Sequence, residues 1–247
     1  MFPSQVDVVL LDVEGTVAPI SFVYDVLFPY ASDHLDEFVN SQWEHLQDVV
    51  ALFEEQALAD ESAGLVGVIR IPGPEAEAAL RQSALIASAR WQMDTDRKTT
   101  GLKALQGRIW KGGFESGRLQ SVVFPDVREA LETWVGAGLR CAIYSSGSVQ
   151  AQELFFRYCE AGDLSPFLSG HFDTKVGAKG EKDSYMAIAR ELGVAPERVF
   201  FGTDVVGEAE AAREAGMHTA ILNRPGNATQ PVHSHLVLTD LSQQGGW

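Results

Sequence analysis

Cysteine, positive charge and long apolar runs are all scarce in this sequence. Only two cysteines occur in 247 residues, Cys141 and Cys159. That is too few for a disulfide framework, and Cys141 lies within an apolar run, which suits a reduced packing thiol. No stretch approaches the roughly 20 apolar residues that cross a bilayer. The first residues, Met1-Phe2-Pro3-Ser4-Gln5, have no basic segment leading into an apolar one, so no secretory leader is expected. A cytoplasmic protein is the expectation. Lysine and arginine number 19 against 34 aspartates and glutamates, a formal net charge of -15. Such a field repels a nucleic-acid backbone and an anionic membrane surface, and neither is expected as a partner. An anionic small molecule remains admissible where a lysine, a metal ion or a helix N-terminus supplies local positive charge. Asn227-Ala228-Thr229 matches a glycosylation acceptor, which without a leader is read as incidental.

What is present is a core of ample size, with 45% hydrophobic residues. Its first strong element is Val8-Val9-Leu10-Leu11, which ends abruptly in Asp12-Val13-Glu14-Gly15-Thr16. Four large aliphatics without alternation suit a strand covered on both faces of a parallel sheet. In an extended segment Asp12 and Glu14 project to the same side, and ligands of open α/β sheets gather at the carboxyl ends of strands. The competing reading is an acidic turn that merely closes a core strand.

Between residues 16 and 120 no convincing strand occurs. Helical spacing runs over residues 22–54, with Pro29 near a helix start or break. A small-residue connection covers 59–74, and further helices are expected over 75–91 and from Thr99 to about Gly112. From residue 125 onward helix and strand alternate: helix 125–137, strand 139–144, helices 149–159 and 183–192, strand 198–202, helix 206–215, strand 217–222 and a last apolar patch at 236–238. The first strand must therefore rejoin a parallel sheet made by the C-terminal half. The expectation is an α/β fold, with residues 1–17 and 121–247 forming a Rossmann-like core and 18–120 an all-helical insertion. Residues 243–247 read as a frayed tail.

Three later segments carry complementary chemistry. Ser145-Ser146-Gly147-Ser148 follows the strand ending at Tyr144, a turn that could hold phosphate oxygens or simply cap the next helix. Asp204 follows Val199-Phe200-Phe201-Gly202-Thr203 and could meet Asp12 across the sheet, completing an oxygen site for magnesium, or it could cap a helix. Glu208 reads as a solvated charge in preference to a partner of that site. Among Lys175, Lys179 and Lys182, Lys179 is best placed to supply positive charge, between glycines and close to a helix start. His233-Ser234-His235 reads as a polar loop, and Trp91 and Trp110 as core residues.

Taken in order, Asp-x-Glu-Gly-Thr, strand then Ser-Ser, Lys-x5-Tyr, and strand then Thr-Asp, the set resembles the haloacid dehalogenase superfamily of aspartate-nucleophile phosphotransferases. Asp12-Val13-Glu14-Gly15-Thr16, Asp96-Arg97-Lys98-Thr99-Thr100, Leu105-Gln106-Gly107-Arg108-Ile109-Trp110, Gly170-His171-Phe172-Asp173-Thr174 and Arg224-Pro225-Gly226-Asn227 are similar, more narrowly, to the enolase-phosphatase E1 family of methionine salvage. Glu14 stands where the wider superfamily usually has Asp, and marks this branch. The resemblance implies an HAD-type core with a helical cap, and a cytoplasmic monomer holding one Mg2+ through Asp12, the Glu14 carbonyl and Asp204. It implies Asp12 as nucleophile, Glu14 as acid and base, and Lys179, Ser145 and Ser146 as phosphate ligands. The implied substrate is the phosphorylated diketone 2,3-diketo-5-methylthiopentyl-1-phosphate, enolised and then dephosphorylated, with Phe22 and residues 99–110 lining its methylthio end. Two other readings stay open on the residues alone: a magnesium-dependent phosphatase or mutase acting on another phosphate ester, and a non-enzymatic receiver-like module phosphorylated on aspartate.

Overall fold

The structure, a computed structural model, describes residues 6–242. The leader reading of residues 1–5 and the frayed-tail reading of 243–247 lie outside these. The chain divides into two compact units, Met1–Asp25 with Gly117–Trp247, and Val26–Ser116. The insertion expected at 18–120 differs slightly at both ends. Residues 17–22 are tied to the first unit, where Phe124 N–H donates to the Val17 carbonyl at 2.9 Å and Phe22 meets Phe155 edge to face at 5.6 Å.

The first unit is built on a six-stranded parallel sheet in the order β3-β2-β1-β4-β5-β6. The strands are β1 (Val8–Leu11), β2 (Arg140–Tyr144), β3 (Leu168–Phe172), β4 (Val199–Thr203), β5 (His218–Leu222) and β6 (Leu236–Leu238). β1 lies at the centre, Leu11 opposite Ile143 on one side and Gly202 on the other. All four of its residues are buried, as an unbroken aliphatic run in a covered strand requires. The chain runs from β1 outward through β2 and β3, then returns to place β4 on the opposite side of β1. Strand order therefore reverses between β1 and β4, and the crevice at their carboxyl ends is where such sheets bind ligands. β3 is absent from the sequence reading, because Leu-Ser-Gly-His-Phe at a half-exposed sheet edge has no apolar run.

Short helix α1 (Ile20–Phe22) belongs to this unit, as do α6 (Val127–Gly136), α7 (Val149–Arg157), α8 (Lys182–Glu191) and α9 (Val206–Glu214). One core cluster joins Val8 and Leu10 of β1 to Tyr144, Phe201, and Tyr185 and Ile188 of α8. Three of its aromatics form a chain of ring contacts, Tyr144 edge to face with Tyr185 at 5.5 Å and Tyr185 tilted against Phe201 at 5.1 Å. Burying them contributes on the order of 2 kcal/mol per side chain, and it fixes the positions of two hydroxyl groups at the strand ends.

The second unit contains α2 (Phe28–Gln42), α3 (Gln47–Ser62), α4 (Ala78–Asp94) and α5 (Thr100–Glu115), around Leu35, Val39, Phe53, Leu85, Leu102 and Leu105. Pro29 falls in the first turn of α2, where its missing N–H costs nothing. Thr99 caps α5, its hydroxyl accepting from Leu102 N–H at 3.3 Å. Trp110 stacks on Phe28 and donates to the Leu27 carbonyl at 2.8 Å, which is packing within this unit. No helix among the described residues is long and apolar enough to cross a membrane.

Candidate active site

Asp12 leaves β1 with its N–H still in the ladder, donating to Gly202 O at 2.9 Å. Its carboxylate is buried, 4% of the residue being exposed. Oδ1 accepts from Val13 N–H at 2.8 Å and from Lys179 Nζ at 2.6 Å. Lys179 is also 2.8 Å from Glu208 Oε2, so one ammonium joins two acids from different elements. Thr203, the last residue of β4, is 2.8 Å from Glu208 Oε2 and 3.5 Å from Asp12 Oδ2. A hydroxyl has one proton, and the shorter contact takes it. Thr203 Oγ1 therefore donates to Glu208 and accepts from Val205 N–H at 3.2 Å.

Glu208 is thus no solvated charge. Its side chain is 14% exposed, and it stands in the first turn of α9, where the helix starts directly beyond the Asp204 turn. Helix starts favour acids, and a buried lysine needs partners. Those were the available signals, but only the fold shows that α9 turns Glu208 towards Lys179.

The lysine loop is pinned by three hydroxyl groups. Tyr144 OH donates to Gly177 O at 2.9 Å, Ser184 Oγ to Ala178 O at 2.7 Å and Tyr185 OH to Lys179 O at 2.6 Å. Three successive carbonyls are held from the end of β2 and the first turn of α8. Gly177 has a φ of 147°, and a Cβ there would meet Ser184 Oγ at 2.1 Å, so the loop needs glycine at that point. Of the three lysines, Lys175 and Lys182 are exposed and Lys179 is buried against Asp12.

Asp204 is 7% exposed. An ideal Cβ on Gly15, whose φ is 69°, would lie 2.3 Å from Asp204 Oδ2, so glycine at 15 both makes the turn and leaves room for this carboxylate. Glu14 is half-buried in that turn, where it bridges to Ala18, and Gly15 N–H donates to Ala18 O at 2.8 Å. Ser145 and Ser146 sit one strand away at the end of β2. Ser145 is buried, its N–H donating to Phe172 O and its Oγ accepting from Gly147 N–H, whereas Ser146 is exposed. The helix cap is Ser148, which accepts from Ala151 N–H at 3.3 Å. Phe22 is 5% exposed and packs edge to face on Phe155.

The electrostatics follow from this crowding. Burial pushes Asp204 up to about 7, reinforced by the charges of Asp12 and Glu208. Glu208 is raised by burial and then by Asp12. For Lys179 burial would lower the value, but Asp12 and Glu208 outweigh it and hold the ammonium firmly charged. Three buried acids share one lysine, so the site has a deficit of positive charge, and its donors are oxygens of the kind that hard cations prefer. Among the described residues no three His, Cys, Asp or Glu side chains are grouped so as to hold an ion by themselves.

Comparisons with known proteins agree on one family. A model described as a haloacid dehalogenase-like hydrolase matches residues 6–216. Enolase-phosphatase E1 of Drosophila persimilis is 48% identical over 220 residues, which cover 89% of this chain and 86% of that protein. Enolase-phosphatase E1 of Aedes aegypti is 45% identical over 222 residues, 89% of this chain but 20% of that much longer protein. Among solved structures, the UTR4 protein of Saccharomyces cerevisiae superposes with a TM-score of 0.76 at 30% identity, covering 97% of this chain and 100% of that one.

Proposed function

Since the chain belongs to the haloacid dehalogenase-like hydrolases and, within them, to the enolase-phosphatase E1 family, we propose that the strand-end cluster is the site of both reactions the family name joins. The substrate is 2,3-diketo-5-methylthiopentyl-1-phosphate, which is enolised and then hydrolysed to 1,2-dihydroxy-3-keto-5-methylthiopentene and phosphate, a step of methionine salvage. The observation that carries this reading is the Asp12–Lys179–Glu208 cluster, with Asp204 beside Gly15, at the point where strand order reverses.

Asp12 is the nucleophile: a carboxylate oxygen attacks phosphorus, the P–O bond to the substrate breaks, and an aspartyl-phosphate forms. Glu14, two residues on, gives its proton to the leaving oxygen. It then takes one from the water that attacks phosphorus and restores the Asp12 carboxylate. Glu14 is also the candidate for moving the proton in enolisation. Lys179 and the Ser145–Ser146 turn bind phosphate oxygens, and Lys179 offsets the charge that otherwise repels an anionic substrate from an anionic nucleophile. Glu208 pairs with Lys179 and is itself held by the Thr203 hydroxyl, so the two help to keep the ammonium in place.

Phosphatases of this family generally use Mg2+. Here the ion would be held by Asp12, the Glu14 carbonyl and Asp204, where it would supply the missing positive charge and polarise phosphoryl and carbonyl oxygens. The oxygen-only donors, with Asp204 placed beside the Gly15 turn, support that assignment. The helical unit would serve as the cap that sets substrate preference.

The test is ultraviolet detection of the enediol product from the diketone phosphate, with and without magnesium, beside a panel of other phosphate esters. Turnover confined to the diketone phosphate is expected. Equal turnover of unrelated esters would replace the reading with a general phosphatase. Asp12→Asn should abolish turnover and leave the fold intact, and phosphate release by that variant would remove Asp12 as nucleophile.

A further inference from the structure

Behind the Gly15 turn stands a segment to which neither reaction assigns a role, residues 224–227. Arg224 is 5% exposed and spends its guanidinium on buried partners: Nε donates to Thr16 O at 3.0 Å, Nη1 to Asp126 Oδ1 at 3.0 Å and Thr239 O at 3.1 Å, and Nη2 to Asp126 Oδ2 at 2.8 Å. Asn227 closes the turn with its N–H on Arg224 O. Its side-chain amide donates to Gly15 O at 2.9 Å and to Leu222 O at 3.0 Å. Two consecutive carbonyls of the loop after Asp12, those of Gly15 and Thr16, are thus held from one four-residue segment.

The orientation of Asn227 is fixed by those bonds, because both acceptors are carbonyl oxygens and only the NH2 end can serve them. Oδ1 must face the other way, and there it is buried without a hydrogen-bond partner. A buried acceptor left unpaired costs about 1–3 kcal/mol. The position of this one is informative. The ideal Cβ point of Gly15 lies 2.3 Å from Asp204 Oδ2 and 3.0 Å from Asn227 Oδ1, so the two oxygens are close neighbours on the same side of the turn. While Asp204 is ionised the two oxygens cannot satisfy each other, and a shared partner must carry positive charge or donate hydrogen bonds to both.

We propose that Asn227 is a positioning residue of the divalent-cation site, its amide nitrogen clamping Gly15 while its unpaired Oδ1 faces the hydrated Mg2+ held by Asp204. This rests on the magnesium site proposed above. It extends the donor set to a residue more than two hundred positions from the nucleophile, and it accounts for an orphan oxygen that packing alone would not favour. Outer partners of a metal commonly control affinity by about 10-fold or more.

The experiment is calorimetric titration of Mg2+ into the metal-free protein, without substrate, for the wild type, Asn227→Ala and Asn227→Asp. The clamp on Gly15 is lost in both variants, because neither side chain carries the NH2 group, so both should melt lower than the wild type in the absence of metal. Only the aspartate retains an oxygen. Asn227→Ala should weaken Mg2+ binding by about 10-fold or more, and Asn227→Asp should bind at least as tightly as the wild type. Equal weakening in the two variants would reduce Asn227 to a clamp and overturn the proposal, as would unchanged affinity in Asn227→Ala. A wild type that takes up no Mg2+ would instead overturn the magnesium site itself. Asn227→Leu, close in size and without an oxygen, replaces the alanine variant if that protein does not fold.

Discussion

Replacing Glu208 by glutamine separates a structural charge from an ornamental one. The variant keeps an oxygen that can accept from Thr203 Oγ1, now 2.8 Å away, but removes one of the two anions on the Lys179 ammonium, also 2.8 Å away. Hydrogen bonds between charged groups contribute about 1.5–3 kcal/mol. With Asp12 still paired to Lys179, and with burial and Asp12 disfavouring the Glu208 anion itself, a loss of no more than about 1 kcal/mol is expected. In a protein of this size that lowers Tm by at most about 2–4 °C. Turnover should suffer more than stability. Lys179 is held by both Asp12 and Glu208, and an ammonium left to Asp12 alone competes with the phosphate for it. Misplacement of about 1 Å can cost on the order of 100-fold in rate. The assay is steady-state turnover of the diketone phosphate together with thermal melting. Glu214→Gln, exposed at the far end of the same helix, is the control and should stay within about 0.5 kcal/mol of wild type. A Glu208→Gln protein indistinguishable from that control in both readouts would refute the reasoning.

Further outcomes follow from buried groups elsewhere. Burial pushes the Cys141 thiol up to about 12, so it should resist iodoacetamide at pH 8 in the native protein and react fully once unfolded; rapid native labelling would contradict its place inside β2. In the helical unit Asp60 is buried, which would raise its pKa, but hydrogen bonds from Arg97 at 2.6 Å and Gln56 at 2.8 Å, with the Arg97 charge, hold it below the ordinary value. A depressed folded value stabilises above the unfolded value of about 3.9 and is lost as pH falls through the folded one. Asp60→Asn should therefore lower stability at neutral pH and flatten its decline in acid, and an unchanged acid-unfolding curve would count against the pair. Asp126→Asn strands the Arg224 guanidinium, whose side chain is 2% exposed, and should cost about 3–5 kcal/mol in urea unfolding; a loss under 1 kcal/mol would show that the pair is dispensable.

The central strand, the helical insertion and the βα alternation after residue 125 were legible because each follows a local pattern, whether an unbroken aliphatic run, helical spacing or a Gly- and Pro-rich connection. Lys179 was legible for a related reason, since glycines on both sides of a lysine mark a shaped loop. β3 was not, because an edge strand half open to solvent has no need of aliphatic residues at every position. Glu208 was misread for a deeper reason. A glutamate in a helix is usually solvated, and its burial depends on a lysine 29 positions earlier that only the closed sheet brings to it. Asn227 and Arg224 were visible as part of a family motif, but their work on Gly15 and Thr16 is a property of tertiary contact across most of the chain.

The central position of β1 also has a consequence for how the molecule is made. Val8–Leu11 leaves the ribosome well before both of its neighbours, Arg140–Tyr144 and Val199–Thr203. During synthesis these aliphatics wait without partners while the locally connected helices of 26–116 can already form, since long-range strand pairing is the slow part of folding. Asp12, at the end of this strand, is therefore translated before its partners and seated late. Pulse-labelled hydrogen exchange during refolding should protect amides in α2 to α5 before those of Val8–Leu11. Protection of β1 first would mean that the sheet, not the insertion, nucleates the fold.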